Sequence, residues 1–155
     1  MKTKLLAFTM ALSLLTAGAG FAGENANMGT WKLNEANSTL DPTQGKNHTV
    51  MYEPAGGSIK VTVIGTDKDG KPTRNEWTGK FDGKDYKVTG DEKLDTRAYT
   101  EVNNHTLDMT IKSQDEVVMT GRIMVSKDGK SRVVTTTRTN EKGQKVQVKA
   151  VYDKE

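Results

Sequence analysis

Side chains that commonly perform chemistry are scarce in this sequence. The 155 residues include no cysteine and two histidines, His48 and His105, which lie on different predicted strands. Without cysteine the chain can form no disulfide, no thiolate metal site and no cysteine nucleophile. No serine stands in the Gly-x-Ser-x-Gly turn that presents the nucleophile of many hydrolases. We therefore expect a protein that is not an enzyme, with no catalytic residue, no metal site and no cofactor.

One acidic segment resembles the start of a calcium-binding loop. Asp67-Lys68-Asp69-Gly70 has carboxylates at alternate positions, followed by a glycine. The third acidic position and the closing glutamate of such a loop are missing. The segment is therefore predicted to be a turn.

Several charged residues lie an even number of positions apart, so that they share one face of a strand. These are Arg74 with Glu76, Arg97 with Tyr99 and Glu101, and Arg132 with Arg138. The alternation of their segments places them opposite the apolar faces, which predicts exposed ion pairs that each contribute about 0–1 kcal/mol. The alternative is an anion-binding site in the protein interior, which would require the predicted faces to be inverted.

The elements that must position these residues are short β-strands separated by turns. From about residue 47 onward, apolar and polar residues alternate over five to nine residues at a time, which is typical of a strand with one buried face. No convincing helical period is present. Asp-Gly pairs at 69–70, 82–83 and 128–129 separate several of these segments. They predict type I′ hairpin turns, in which both central residues have positive φ.

The number and spacing of the strands predict a closed barrel. With a first strand near Thr30–Leu33, the sequence contains eight to ten strands. Tight turns make consecutive strands antiparallel neighbours, so the predicted fold class is all-β with an up-and-down meander. A meander of this size hides its apolar face and removes both edges when it closes into a barrel. An open twisted sheet or a two-sheet sandwich is the alternative.

The inward face of the predicted barrel combines aromatic, thioether and small side chains. Aromatic and flexible thioether surfaces suit a small-molecule site, and the predicted ligand-lining residues are Tyr52, Trp77, Phe81, Tyr86, Met109, Met119 and Tyr152. The same face is predicted to include Val117, Val133, Thr135 and Thr137, with gaps at Gly79 and Gly121. A cavity and a fully packed interior therefore remain alternatives.

Residues 1–22 have the order of a secretory signal peptide. A basic start with Lys2 and Lys4 precedes an apolar run from Leu5 to Leu15, and small residues follow as far as Ala22. This order of charged, apolar and small residues is what a signal peptidase recognises. We expect a signal peptide over 1–22 and one domain over 23–155, secreted or periplasmic. The apolar run is shorter than the roughly 20 residues of a membrane span. This length argues against the alternative, a retained membrane anchor. No membrane span is expected in the mature chain.

The formal charge of +3 comes largely from the same segment. Without Lys2 and Lys4, the 23 basic residues become 21 against 20 acidic ones, a net charge of +1. Positive and negative residues interleave, as in Asp82-Gly83-Lys84-Asp85. Because nucleic-acid binding needs lysine and arginine clustered on one face, we expect no nucleic-acid partner.

The start of the predicted domain resembles a known barrel motif. Gly29-Thr30-Trp31-Lys32-Leu33 is similar to the Gly-x-Trp opening of lipocalins and fatty-acid-binding proteins. In those families the tryptophan plugs one end of the barrel, which the resemblance implies for Trp31. Over 29–153 the chain is more similar to small secreted bacterial lipocalin-like proteins, whose function is not established. Segments 29–34, 78–86 and 151–153 carry that similarity.

Two features of fatty-acid-binding proteins are missing from this chain. Residues 34–47 are too short and too polar for their two-helix lid. Ala150 stands where their Arg-x-Tyr pair has the arginine, two residues before Tyr152. The resemblance therefore does not extend to their carboxylate site.

Together these features favour an exported lipocalin-like barrel that binds or carries a small, mostly apolar ligand in its interior. The alternative is an envelope interaction or inhibitor module with a packed barrel and no ligand. Such a module would act through exposed strands and through the loops near 34–47 and 90–96. The two hypotheses differ in whether the interior is open.

Cleavage of the signal peptide is directly testable. When the full sequence is expressed in a bacterial host, the exported protein is expected to begin at Gly23, because the small residues that end at Ala22 fit a signal peptidase. Intact-mass spectrometry of the periplasmic fraction measures this start. A chain that begins at Gly20 would instead indicate the second acceptable site, after Ala19. Recovery of only the uncleaved 155-residue chain would contradict the prediction.

Overall fold

Alternating side chains and short connections fold this chain into ten antiparallel strands. The computed structural model describes residues 24–140 and 142–155, so the predicted signal peptide over 1–22 lies outside the described residues. The strands are β1 (Gly29–Leu33), β2 (Lys46–Ala55), β3 (Ser58–Thr66), β4 (Pro72–Gly79), β5 (Tyr86–Thr89), β6 (Thr96–Asn103), β7 (Thr106–Ser113), β8 (Glu116–Val125), β9 (Ser131–Thr139) and β10 (Lys145–Lys154). A one-turn 3₁₀ helix over Glu35–Asn37 lies between β1 and β2. Within the described ranges, no helix has the length and apolarity that a membrane span requires.

Pairing of the first strand with the last closes the sheet. Each strand is antiparallel to the next along the chain, and β1 also pairs with β10. Trp31 lies opposite Lys154 in that pairing, and Leu33 lies opposite Tyr152. The predicted fold class, an up-and-down barrel of the lipocalin-like kind, is confirmed. An open sheet or a sandwich is not formed.

The wall made by β4, β5 and β6 has short strand pairing but extensive aromatic stacking. β5 is joined to β4 and to β6 by two residue pairs each, whereas nine pairs join β9 to β10. The Trp77 ring lies 6.2 Å from that of Tyr86 and 4.9 Å from that of Tyr99, centroid to centroid. Such pairs contribute about 0.5–1.5 kcal/mol beyond burial. Ring stacking therefore supports the wall where backbone hydrogen bonds are few.

The hairpin turns differ in type from those predicted at the Asp-Gly pairs. At 69–70 and 128–129 only the glycine has positive φ, 80° at Gly70 and 71° at Gly129, which is typical of a type I turn followed by a left-handed residue. Asp67 holds the first of these turns, because its Oδ1 accepts hydrogen bonds from the Asp69 and Lys71 amides at 2.8 and 2.9 Å. The acidic segment is thus a turn, as predicted. Positive φ at both central residues occurs instead at 56–57 and at 114–115.

The predicted inward face of β9 is wrong by one residue. The inward residues are Arg132, Val134, Thr136 and Arg138, and the outward ones are Val133, Thr135 and Thr137. Residues directly opposite on antiparallel strands point to the same side of the sheet. Arg132 lies opposite Tyr152 on β10 and Val125 on β8, and both of these are buried. The two neighbours thus direct Arg132 inward, although Val133 is the more apolar residue.

The predicted outward face of β6 is wrong for the same reason. Arg97 is 6% exposed and Tyr99 is 3% exposed. They lie opposite Ile111 and Met109 of β7, whose regular alternation sets the inward side for β6 as well. Glu101 shares that face but is exposed near the end of the strand. An anion-binding site in the interior requires that the predicted inward and outward faces be exchanged. On both β6 and β9 they are.

The third predicted surface pair does lie on the outside. Arg74 Nη2 is 2.5 Å from Glu76 Oε1, and Lys60 of β3 is 3.3 Å from the other oxygen of Glu76. Arg74 and Glu76 are two residues apart on β4 and Lys60 reaches Glu76 from the neighbouring strand. On this outer face solvent limits the contribution of each pair to about 0–1 kcal/mol.

A bulge in β8 moves Val117 to the outer face, in contrast to the prediction. Ile111 lies opposite Met119 and Lys112 lies opposite Val117, so that Val118 is an extra residue on the β8 side. An extra residue shifts the alternation of its strand by one. Val117 is consequently 56% exposed, while Met119 lines the interior.

The predicted gaps at Gly79 and Gly121 are filled by neighbouring side chains. The Tyr86 ring lies directly on Gly79, where a Cβ atom would overlap it. At Gly121, a Cβ would lie 2.7 Å from Met109 Cε and 3.1 Å from Thr136 Cγ2. Both glycines therefore permit close packing, and neither produces open space.

Packing of Tyr86 onto Gly79 gives a stability prediction. Gly79→Ala should destabilise the barrel by about 1–3 kcal/mol, because the added methyl must displace a ring that is stacked on Trp77. Chemical denaturation monitored by tryptophan fluorescence measures the change. Thr78→Ala, one residue away and exposed, is the matched control and should cost less than about 1 kcal/mol. Equal effects of the two substitutions would contradict the packing argument.

Candidate ligand-binding cavity

The barrel encloses a cavity of about 720 Å³. It extends to the end formed by the connections over 34–45, 67–71 and 90–95. Its apolar wall includes residues of six different strands, Val50, Val63, Ile111, Ile123, Val134 and Val148. Small-molecule sites in proteins have volumes of roughly 300–1,000 Å³. Of the two predicted alternatives, the interior is open rather than fully packed.

The opposite end of the barrel is closed by Trp31. Its side chain is fully buried, and its Nε1 donates a 2.7 Å hydrogen bond to the Asn27 carbonyl. Lys154 Nζ lies 5.1 Å from the centroid of its ring. The Ala26 amide donates to the Asn104 carbonyl at 3.0 Å, which ties the segment before β1 to the β6–β7 turn. Trp31 thus occupies the closing position that the Gly-x-Trp resemblance implies.

The structure separates the seven predicted ligand-lining residues into two groups. Tyr52, Met109, Met119 and Tyr152 lie on the cavity surface. Trp77, Phe81 and Tyr86 instead form an aromatic cluster with Tyr99. Neighbouring rings of this cluster have centroids 4.9–6.2 Å apart, a contact that residue type alone does not reveal. That the four cavity residues bind a ligand stays a prediction.

Arg132 lies at the floor of the cavity and was missed by the predicted faces. It is 2% exposed and lines the cavity. Its Cζ is 4.7 Å from the centroid of the Trp31 ring and 5.0 Å from those of Tyr52 and Tyr152. A desolvated cation–π contact contributes about 2 kcal/mol or more, so the three rings offset part of the cost of burying the charge. Arg132 Nε and Nη1 have no hydrogen-bond partner among the described residues.

Arg97 is the second buried arginine of the cavity wall. Its Nη2 donates to Asn75 Oδ1 at 3.1 Å, and Asn75 is itself buried and lines the cavity. The Arg97 Nε has no partner within residues 24–140 and 142–155. In the same part of the chain, no carboxylate forms a salt bridge with Arg97 or Arg132.

At the mouth of the cavity, positive charge is balanced by negative charge. Arg138 forms an ion pair with Asp41. Hydrogen bonds from Thr43 and the charge of Arg138 hold the pKa of Asp41 below its usual value. The rim also carries four more basic residues and four more acidic ones, Lys46, Lys68, Arg74, Lys93, Asp67, Asp69, Asp91 and Glu92. The positive charge of the cavity that has no carboxylate partner among the described residues is therefore that of the two buried arginines, Arg97 and Arg132.

Two tyrosines beside the buried arginines are strongly held in the neutral form. Burial raises the pKa of Tyr152 to about 12, with Arg132 opposing the shift and Tyr52 adding to it. Burial also raises the pKa of Tyr99, with Tyr52 adding to the shift and both Arg97 and Arg132 opposing it. Because the neutral phenols keep their protons at physiological pH, they can donate hydrogen bonds there.

The inward position of Arg97 could have been predicted from β7, the strand that pairs with β6. Leu107-x-Met109-x-Ile111 on β7 alternates regularly, and β6 must pair with it across a two-residue turn. Matching β6 to that alternation places Arg97 and Tyr99 inside. Treating each strand by itself loses this information, because both faces of β6 carry mixed residues.

The two histidines lie at opposite ends of the barrel. His48 Nε2 is 3.1 Å from Thr66 Oγ1 near the open end, and His105 is half-buried in the β6–β7 turn at the closed end. In the part of the chain that the structure describes, no three histidine, aspartate or glutamate side chains are grouped as a metal site would require. That the protein is not an enzyme stays a prediction.

Comparisons with known proteins give similarity in outline only. No protein-family model and no curated protein matches this chain. One similar solved structure is a redesigned β-barrel, mFAP1, bound to DFHBI, with 16% identity, 85% of this chain and 100% of that chain covered, and a TM-score of 0.47. Another is EF1p2_mFAP2b bound to DFHBI, with 14% identity, coverage of 84% and 94%, and a TM-score of 0.46. By its own fold and cavity, the chain is a ten-stranded up-and-down β-barrel with an interior that is open at one end.

Ionisation of Tyr152 should destabilise the barrel at high pH. The pKa of this phenol is about 12 when folded and 10.0 by its ordinary value, so the unfolded chain releases the proton first. Stability that is present below pH 10 is then lost as the pH rises toward 12. The stability of the wild type relative to Tyr152→Phe should fall by about 2–3 kcal/mol over this interval. Guanidinium denaturation at a series of pH values measures the difference.

Tyr86→Phe provides the control for this titration. Tyr86 is less buried than Tyr152, so its removal should change the pH dependence by a smaller amount. A difference between wild type and Tyr152→Phe that stays constant from about pH 9 to about pH 12 would show that Tyr152 is not held in the neutral form.

Proposed function

We propose that this chain is an exported barrel that binds a small, largely apolar molecule in its interior. The observation that carries the proposal is the cavity of about 720 Å³, enclosed by a closed sheet and accessible from one end. A barrel that acts only through its outer surface has no need of such a space. Export is proposed on the sequence of residues 1–22.

The composition of the wall supports an apolar body for the guest molecule. Aliphatic side chains from six strands face the cavity, and Met109 and Met119 add flexible thioethers. Each Å² of apolar surface that a guest removes from water contributes about 25 cal/mol. Methionine side chains adapt to guests of different shape. The wall therefore suits a guest with a substantial apolar part.

Filling the cavity should abolish binding. Val134 faces the interior from the middle of β9, so Val134→Trp places an indole where the guest would lie. N-phenyl-1-naphthylamine, a neutral apolar fluorophore, is expected to bind the wild type. Its affinity for the variant should be at least about tenfold lower. Fluorescence titration measures both affinities.

Val133→Trp is the matched control, because Val133 is adjacent in sequence and lies on the outer face. Its affinity for the probe should stay within about twofold of the wild type. Circular dichroism verifies that both variants fold. If the wild type binds no probe, and native mass spectrometry of the purified protein finds no bound small molecule, the carrier function is refuted and the interaction module is favoured.

A further inference from the structure

Two buried arginines make part of the cavity lining chemically different from its apolar wall. Arg97 comes from β6 and Arg132 from β9, and they are 6% and 2% exposed. Both line the cavity. Tyr99 shares the inward face of β6 with Arg97, and Arg132 Cζ lies 5.0 Å from the centroid of the Tyr52 ring. The Phe81 ring joins these two tyrosines, with centroids 6.3 Å from that of Tyr52 and 6.1 Å from that of Tyr99.

The unpaired atoms in this region are hydrogen-bond donors. Arg97 Nε, Arg132 Nε and Arg132 Nη1 have no acceptor among the described residues. A buried donor without an acceptor is costly, and the cost is larger when the group is charged. The aromatic faces around Arg132 attract its charge, but its N–H groups point in the plane of the guanidinium. What is missing at each of these atoms is an acceptor.

The two charges also lack a counter-ion in the part of the chain that the structure describes. Arg138 at the mouth has Asp41, and the outward Arg122 on β8 has Asp108 at 2.6 Å. Neither Arg97 nor Arg132 has a comparable carboxylate. A buried cation without a partner is strongly unfavourable. The interior therefore favours the entry of negative charge beside these two arginines.

We infer that the guest of this cavity is an amphipathic organic anion, with its acid group against Arg97 and Arg132 and its apolar body against the aliphatic wall. The inference rests on the proposed function, since it concerns the same cavity, and it adds the class of ligand. A carboxylate or sulfonate supplies several acceptors at once, and the planar guanidinium can donate two parallel hydrogen bonds to such a group. Water molecules on the same donors are the competing arrangement, and they would give no preference for an anion.

The test compares two fluorophores that differ by one group. 8-Anilinonaphthalene-1-sulfonate carries a sulfonate on the ring system of N-phenyl-1-naphthylamine. The wild type should bind the sulfonate at least about tenfold more tightly than the neutral probe. Arg97→Met and Arg132→Met each remove a charge and retain an unbranched apolar side chain. Each should weaken binding of the sulfonate about tenfold and change binding of the neutral probe by less than about twofold.

Arg122→Met is the matched control, because it removes a positive charge from the outer face. It should leave both affinities within about twofold of the wild type. Circular dichroism and thermal melts show which variants fold. Arg132 lies among three aromatic rings, and if its substitution prevents folding, Arg97→Met decides the test.

The outcomes separate this inference from the function on which it rests. Equal affinity of the wild type for the two probes, or equal loss of both probes in the arginine variants, would overturn the anion site and leave the carrier function standing. If neither probe binds the wild type, the carrier function itself is overturned, and the anion site with it. A preference for the sulfonate that either arginine variant removes would support both.

Discussion

The first and last strands of this chain, β1 and β10, pair with each other and so close the sheet into a barrel. Three residue pairs join these strands, and they convert a meander with two open edges into a closed surface. Once the sheet is closed, the width of the interior follows from the number and stagger of the strands rather than from the side chains available to fill it. In a chain that is 34% hydrophobic overall, the ten-stranded barrel keeps open space inside. Trp31 and the segment before it close one end, and so the space opens at the other.

Closure also explains why charged residues lie inside an otherwise apolar barrel. In a closed sheet every strand has two neighbours, and a shift of one residue would turn all its side chains to the opposite face. β9 lies between two strands whose inward residues include Ile123, Val125, Ala150 and Tyr152. Pairing with these two strands therefore determines which residues of β9 point inward, and Arg132 is one of them. The rings of Trp31, Tyr52 and Tyr152 pack around its guanidinium group.

The candidate site was only partly predictable from residue types. Tyr52, Met109, Met119 and Tyr152 reach the cavity surface as predicted, although the bulge at Val118 turns Val117, two residues before Met119, to the outside. Trp77, Phe81 and Tyr86 were predicted to line the cavity on the same grounds, yet their rings pack in a cluster around Tyr99. Trp77 stacks on Tyr86 and Tyr99, and Phe81 packs against Tyr99. Local sequence shows that an aromatic residue points inward. It does not show whether the ring meets open space or another ring, because that depends on strands distant in sequence.

The all-β meander, the first strand with Trp31, and the inward side of strongly alternating strands such as β3 and β7 can be predicted from residue order. These features follow from local patterns, since side-chain alternation and turn residues act within a few positions of one another. The faces of β6 and β9, the bulge at Val118 and the cavity depend instead on how the strands pair in the folded barrel. The physical reason is that cross-strand pairing overrides weak local preference, and it is this pairing that placed Arg97 and Arg132 inside.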